Sequence, residues 1–370
     1  MFQQHDCQLN RLRQLQLLFV TAYFLRFVPV QIQKNISLKP YNTFAVNAKA
    51  KYFSTFSSVN ELEELLKTTN DKRRTINNKL ILGGGSNILF TKDFDGLVLK
   101  NELKGIELIK EDENHYYVKA AAGENWHEFV MHCIKHNYAG VENLSLIPGN
   151  VGASPMQNIG AYGAEIKEVF EQLEAYHVHD NKIITFSAND CEFGYRESVF
   201  KRKYKDQFVI LNVTFRLRKK LAFNTSYGQV KQELEKMGVK KLSIQAISQA
   251  VINIRTSKLP DPKVIGNAGS FFKNPEINSH EFHELKRIYP GIVGYPLTNN
   301  KTKLAAAWLI EQCGPRDAVS WKGYREGDAG CHVKQPLVLV NYGNAKGEEI
   351  YKLSEKIKDS VYKNFGVTLE

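Results

Sequence analysis

An α+β fold is expected for this chain, and three features of its 370 residues point to it. Strand-like and helix-like stretches follow one another without a regular strand–helix–strand rhythm. The hydrophobic pattern changes after "QFVILNVTFRL" (207–217), which sets a first boundary near Leu217. The composition, 43% hydrophobic and 24% charged, is that of a globular chain long enough for two or three domains with their own cores.

The elements follow in order. "RLRQLQLLFVTAYFLRFVPVQIQ" (11–33) is apolar from Leu15 to Leu25 but interrupted by Arg26 and Pro29. It is too short to span a bilayer, so residues 1–34 are expected to be an extension outside the fold. Ordered architecture is expected from about "SLKPYNTF" (37–44). "SVNELEELLKTT" (58–69) carries Val59, Leu62, Leu65 and Leu66 at helical spacing. "NKLILGGGSNILF" (78–90) reads as two apolar strands around three glycines. "DGLVLK" and "HYYVKAAAG" read as strands, "NWHEFVMHCIKHN" as a helix. "QFVILNVTFRL" alternates Val209, Leu211, Val213 and Phe215 with other residues, a clear strand pattern. Beyond it, "VKKLSIQAISQAVINIRTSKLP" (239–260) is helical as far as Pro260. "KLAAAWLIEQCG" (303–314) is a helix stopped by Gly314, "QPLVLVNYGNA" (335–345) a strand and turn, and "GEEIYKLSEKIKDSVYKNFG" (347–366) a long amphipathic helix.

Fifty Lys and Arg against thirty-nine Asp and Glu give a net charge of +11. The excess lies in short runs, "DKRR" (71–74), "KRKYK" (201–205) and "RLRKK" (216–220). These suit a solvated surface or an anionic ligand such as a phosphate ester. No basic stretch is interleaved with regularly spaced aromatics, which argues against nucleic acid as a partner. The cysteines Cys7, Cys133, Cys191, Cys313 and Cys331 are dispersed, as expected of reduced thiols rather than a disulfide framework. No metal site is expected. In "WHEFVMH" His127 and His132 are five residues apart and so fall on different helix faces. His132 and His136 share a face, but no third ligand accompanies them.

Three segments have the makings of a binding or catalytic site. In "LGGGSN" (82–87), glycines let backbone N–H groups crowd an anion while Ser86 and Asn87 add side-chain hydrogen bonds. It is neither G-x-G-x-x-G nor a P-loop, because no lysine follows and no helix opens there. "SLIPGNVGASPMQNIGAYGAE" (145–165) packs many glycines into one loop, which suits close approach to a pyrophosphate or a flat ring. "CEFGYRESVFK" (191–201) offers Arg196 as a bidentate donor for a carboxylate. Finally, "GNAGSFFKNP" (266–275) presents one serine with no histidine in the twenty residues upstream. Locally, Ser270 reads as a turn cap, a nucleophile or a proton donor.

Taken together and in this order, "GGGSN", "PGNVGASPMQNIGAYGAE", "FGYRESVFK" and "GNAGSFFKNP" closely resemble the UDP-N-acetylenolpyruvoylglucosamine reductase (UDP-N-acetylmuramate dehydrogenase) family, from about Ser37 onward. "TSYG" (225–228) and the length of the second half match the longer of its two types. The resemblance implies an FAD-binding domain of the vanillyl-alcohol-oxidase (PCMH) type in two subdomains, over residues 35–218 and split near 104. A C-terminal α+β substrate domain would occupy residues 219–370. It further implies that NADPH reduces the FAD and leaves. The flavin hydride then passes to the vinyl carbon of UDP-N-acetylenolpyruvoylglucosamine, in peptidoglycan precursor synthesis. A cytoplasmic monomer without membrane insertion or nucleic-acid partner is expected.

Carried over residue by residue, the resemblance places Gly83, Gly84, Gly85, Ser86 and Asn87 at the FAD pyrophosphate. Ile147, Pro148, Gly149, Gly152, Ala153, Ser154, Asn158 and Gly160 would line the cofactor, with Ile210. Arg196 would polarise the substrate carboxylate, and Ser270 would protonate the enolate that forms beside it. Tyr227, Lys258, Asn274, Tyr295, Lys303, Lys322 and Gln335 would contact the UDP-sugar. A serine nucleophile would need a base within reach, and the sequence offers no obvious one. The family's third catalytic residue, a glutamate in a P-E-V-R-F-x-G segment, has no counterpart here. The residues stop at "FGVTLE", where Glu370 matches the acidic residue just before that segment and is expected to fray. Glu197 is not taken as its substitute, since neighbours on an extended segment face opposite ways. A chain ending there would transfer hydride to the sugar nucleotide about 10²–10⁴-fold more slowly. The competing readings are a catalytically impaired flavin- or nucleotide-sugar-binding homologue and an FAD-dependent alcohol or sugar oxidase of the same fold.

Overall fold

A computed structural model describes residues 30–370 apart from 69, 72, 73, 77, 316 and 317. Residues 1–29 of the expected extension, with Cys7, lie outside the described residues, as does part of "DKRR". The first sheet begins earlier than expected, at Gln33, and so takes in the last two residues of that extension. The strand Gln33–Ser37 runs antiparallel to Lys49–Phe56. Lys49–Phe56 lies parallel to Phe94–Asn101, which is in turn parallel to Lys79–Leu82. The helix Val59–Thr68 buries Leu62, Leu65 and Leu66, three of the four positions picked out by its spacing. The apolar run Ile88–Phe90 is irregular rather than a strand, because the chain must cross the sheet before Phe94.

The second sheet has five antiparallel strands. Phe208–Arg218 lies at its centre, between Phe170–His177 and His115–Ala121, with Lys182–Ser187 and Ile106–Glu111 at the two edges. The helix Trp126–Lys135 closes one face. Asn125 caps it by accepting from Glu128 N at 3.1 Å, and Trp126 and Phe129 meet Phe215 at ring centroid distances of 5.8 and 4.7 Å. The His132 and His136 rings lie tilted against each other 4.2 Å apart at the end of this helix, and no group of three metal-ligating side chains occurs among the described residues.

After Arg218 two helices, Gly228–Lys236 and Ile244–Lys258, pack together through Val230, Leu234, Ile247, Val251 and Ile254. The second starts at Ile244, later than its hydrophobic run suggests, because the Ser243 hydroxyl caps it by accepting from Ala246 N at 3.1 Å. The strand Gly266–Ser270 then joins Val338–Asn341 and Ala329–Cys331 in a second-half sheet. A smaller sheet holds Glu276–Asn278, Lys301–Leu304 and Gly294–Pro296. The helix expected over 303–314 is only Ala306–Glu311, since Lys303 and Leu304 are drawn into this small sheet. The helix Gly347–Phe365 buries Ile350, Leu353, Ile357, Val361 and Phe365 and is stopped by Gly366 at φ 68°.

Glu370 does not fray. Val367 and Leu369 are 1% and 2% exposed, and Lys273 N donates to Glu370 O at 3.0 Å. Lys273 Nζ also lies 2.7 Å from the Glu370 carboxylate, holding it below the usual range. Cys133, Cys191, Cys313 and Cys331 are free and buried. No helix among the described residues is long and apolar enough to cross a membrane.

Candidate active site

The glycines of "LGGGSN" are where the two loop segments meet. A Cβ on Gly84 would lie 2.9 Å from Gly149 Cα and 2.7 Å from Asn150 Oδ1, so only glycine permits the approach. Across the same contact, a Cβ on Gly149 would lie 2.7 Å from Ser86 Oγ. The 145–165 loop is folded by two short 3-10 turns, Val151–Ala153 and Pro155–Gln157, and by the paired strands Gly160–Ala161 and Ala164–Glu165. Asn87 Nδ2 donates to Gln157 Oε1 at 3.2 Å and completes the seam between the segments.

Two cavities open on this seam. One, of about 480 Å3, is lined by Gly83, Gly84, Gly85, Ser86, Asn87, Ile147, Pro148, Ala153, Ser154 and Gly160, together with Arg196, Arg255 and Ser270. The other, of about 660 Å3, is lined by Gly152 and Ile210 with Phe200, Tyr204 and Phe208. Leu80, Ile81, Gly83, Ala153, Met156 and Lys201 line both, so the two adjoin. The charged residues lining the smaller cavity are Arg196, Lys201 and Arg255, all cationic. Neither a histidine nor a carboxylate is among its described lining residues.

Arg196 sits in a tight turn rather than on an extended segment, which corrects the expectation made for Glu197. Gly194 and Glu197 exchange two backbone hydrogen bonds of 3.1 and 3.3 Å, and Arg196 between them has φ 54°. Its guanidinium donates to Gly160 O at 2.5 Å. Ser270 ends its strand exposed, beyond an irregularity at Ala268 and Gly269, with Val338 as its partner. A segment that sequence reasoning took only as the start of the fold positions it. Asn267 N donates to Thr43 O at 2.9 Å, while Thr43 N donates to Gly85 O at 3.0 Å. Thr43 therefore ties the serine strand to the glycine loop. Arg255 was also missed, because helical periodicity does not report which way a polar face looks. Its Nε donates to Leu146 O at 3.2 Å, and burial holds its guanidinium below its ordinary value, opposed by the neighbouring Tyr162.

The other expected residues are distributed differently. Gly149 and Asn158 line neither cavity. The Asn158 amide is committed to Glu165 and Gly194 O at 3.0 and 3.1 Å, and it braces the loop from behind. Tyr227 meets Tyr162 edge-on at 5.3 Å, and burial followed by the nearby Tyr295 raises its phenol. Tyr295 pairs in register with Lys303, whose Nζ stands 3.5 Å over the Tyr195 ring, next to Arg196. These side chains thus lead from the surface to the Arg196 turn. Lys258, lowered by desolvation, donates to Gln229 at the end of its helix. Asn274 Oδ1 accepts from Ala306 N at 3.0 Å, and Gln335 Oε1 accepts from Leu337 N at 3.4 Å beside the serine strand. Lys322 pairs with Glu311 at 2.6 Å, and like Tyr227, Lys258, Asn274, Tyr295, Lys303 and Gln335 it lines neither cavity.

Gly85 provides a direct test of the loop. At φ 64°, a Cβ there would come 2.0 Å from Tyr41 O. The left-handed penalty alone is about 1–2 kcal/mol, and the clash adds to it. Gly85→Ala is expected to purify with flavin content lowered at least about tenfold, the equivalent of 1.4 kcal/mol. Visible flavin absorbance relative to protein absorbance reads this directly, and full occupancy would refute the role given to this loop.

A profile described as "UDP-N-acetylenolpyruvoylglucosamine reductase, C-terminal domain" matches residues 261–370, and one described as "FAD binding domain" matches 50–187. The UDP-N-acetylenolpyruvoylglucosamine reductase of Amoebophilus asiaticus is 51% identical over 92% of this chain and 98% of its own length. That of Flavobacterium johnsoniae is 48% identical with the same coverage. The crystal structure of the Thermus caldophilus reductase superposes with a TM-score of 0.63 at 21% identity, over 92% of this chain and 98% of that one. That likeness supports the fold.

Proposed function

Because the chain belongs to the UDP-N-acetylenolpyruvoylglucosamine reductase family, we propose that the joined cavities are the site of its reaction. In that reaction NADPH reduces FAD, and the enolpyruvyl sugar nucleotide becomes UDP-N-acetylmuramate. The observation that carries this reading is the smaller cavity, whose charged lining is cationic and which holds one exposed serine, without a described histidine or carboxylate. Such a lining suits an anionic substrate that itself turns basic during the reaction, and it does not suit a serine nucleophile.

The cradle fits FAD. Gly83, Gly84 and Gly85, with Ser86 and Asn87, would hold the pyrophosphate at the seam, where side chains at Gly84 and Gly85 could not be accommodated. The larger cavity, with Gly152 and Ile210, would take the adenosine, and the smaller, with Ile147, Pro148, Ala153 and Ser154, the flavin. When bound, FAD would supply hydride, taken from NADPH, for the vinyl carbon of the substrate. Arg196 holds the substrate carboxylate and stabilises negative charge as it develops there. The Ser270 hydroxyl gives its proton to the carbon beside the carboxylate, and water restores it. Tyr227, Tyr295 and Lys303 would guide the diphosphate arm, with Lys258, Asn274 and Gln335 near its path. Residues 33–218, in two parts meeting near 104, would form the cofactor half, and 219–370 the substrate half. One chain supplies all these groups, so a monomer suffices, and a cytoplasmic location would accord with the nucleotide substrates.

The test is anaerobic NADPH oxidation by the FAD-loaded protein. It should depend on UDP-N-acetylenolpyruvoylglucosamine and yield UDP-N-acetylmuramate. Oxygen consumption with an alcohol or sugar, without need of NADPH, would establish the oxidase reading instead.

A further inference from the structure

Lys201 lines both cavities where they join, yet nothing above gives it a task. It closes a short 3-10 turn, Val199–Lys201, whose first residues are anchored in the core. Val199 and Phe200 are buried, and the buried Ser198 hydroxyl donates to Met156 O at 2.7 Å. From this fixed base Lys201 Nζ reaches back to donate to Arg196 O at 3.1 Å. It also lies 3.5 Å from Glu197 Oε1, an oxygen shielded from solvent and without a hydrogen bond of its own.

The bond falls on an unusual piece of backbone. Arg196 has φ 54°, a left-handed conformation that an L residue with a side chain adopts only when its surroundings impose it. The turn Gly194–Glu197 imposes it on one side through its two backbone bonds. Lys201 fixes the next peptide plane by engaging the Arg196 carbonyl. At the far end the guanidinium is held by Gly160 O. Arg196 is therefore clamped at both ends, and Lys201 supplies the clamp on the backbone.

We propose that Lys201 is a positioning residue for the reduction: its ammonium bonds the Arg196 carbonyl, is balanced by Glu197, and holds Arg196 aimed at the substrate carboxylate. This rests on the reading that Arg196 meets that carboxylate. A charge acting on the cofactor would be felt in both half-reactions. A positioning group acting through Arg196 is felt only when the enolpyruvyl substrate is present. Misplacement of a reacting group by about 1 Å costs roughly 10²-fold in rate.

The experiment measures the two half-reactions of the FAD-loaded enzyme separately by stopped flow, for Lys201→Met, Lys201→Gln, Lys201→Arg, Arg196→Met and the double variant Arg196→Met/Lys201→Met. Lys201→Met and Lys201→Gln should slow flavin reoxidation by the enolpyruvyl sugar nucleotide by about 10–10²-fold, with reduction by NADPH changed less than about twofold. Lys201→Arg, which can still donate to the carbonyl, should recover most of the loss. The double variant should be no slower than Arg196→Met alone, because the lysine acts through the arginine. Wild-type reoxidation in Lys201→Met, equal slowing of both half-reactions, or additive losses in the double variant would each overturn the proposal. Arg196→Met at wild-type speed would instead remove the role of Arg196 on which it rests. Flavin content, measured first, ensures that each variant is compared as holoenzyme.

Discussion

Replacing Ser270 by alanine slows reoxidation of the reduced flavin by the enolpyruvyl sugar nucleotide by about 10²–10⁴-fold, the usual contribution of one acid–base group. Reduction by NADPH is unchanged, since no proton is delivered to substrate carbon in that half-reaction. The expectation follows from what lines the smaller cavity, where Ser270 lies. Arg196, Lys201 and Arg255 are its charged residues, and no histidine or carboxylate among the described lining residues offers a substitute proton. An alkyl hydroxyl is a weak acid, but it suffices when the acceptor is an enolate carbon. The fold should tolerate the change, because Ser270 is exposed at the end of its strand and the bond Phe271 N to Leu337 O, at 2.7 Å, holds the next residue. Tm and flavin content are thus expected to match wild type while single-turnover reoxidation collapses. A Ser270→Ala enzyme that reoxidises at full speed would return the serine to the role of a turn cap.

Elements whose side chains alternate or recur between core and solvent were legible from sequence. Gly347–Phe365 is the clearest, since burial there follows the helical period. In Phe208–Arg218 every alternating apolar position from Val209 to Leu217 is buried, with Ile210 and Thr214 buried between them. Ile106–Glu111 was not, because it is an edge strand exposed along nearly all its length and carries no two-sided pattern. The small sheet around Lys301–Leu304 was hidden for another reason. Its strands of three or four residues are shorter than any periodicity window, so the run into Ala306–Glu311 looked like one helix.

The site was legible to the extent that chemistry is written in residue types. "GGGSN", the 145–165 loop, Arg196 and Ser270 come together, and most of the residues expected at the cofactor line the two cavities. What the sequence could not convey was set by backbone conformation and by contacts between distant residues. Arg196 looked extended because nothing in "GYRE" announces a left-handed residue. Thr43 and Arg255 have no motif of their own; their importance comes from bonds to Gly85, Asn267 and Leu146. Glu370 was expected to fray by its position, yet the burial of Leu369 and the Lys273 contacts hold it in place.

The left-handed conformation of Arg196 allows its chemical role to be separated from its structural one. Arg196→Met keeps the backbone penalty and removes the guanidinium. Reoxidation by the sugar nucleotide should fall about 10²–10³-fold, the loss typical of a group that stabilises developing negative charge. KM should rise as well, because the same contact binds the carboxylate before reaction. Arg196→Lys should recover little of this, since a lysine ammonium cannot engage Gly160 O and a carboxylate with the fixed fork of a guanidinium. Arg196→Gly gives the decisive comparison. Glycine adopts φ 54° freely, so the left-handed cost of about 1–2 kcal/mol is removed together with the side chain. The variant should melt no lower than Arg196→Met, and reoxidise no faster. If Arg196 served chiefly to shape the turn, glycine would restore the rate; if it serves the substrate carboxylate, the turn improves and the rate stays low.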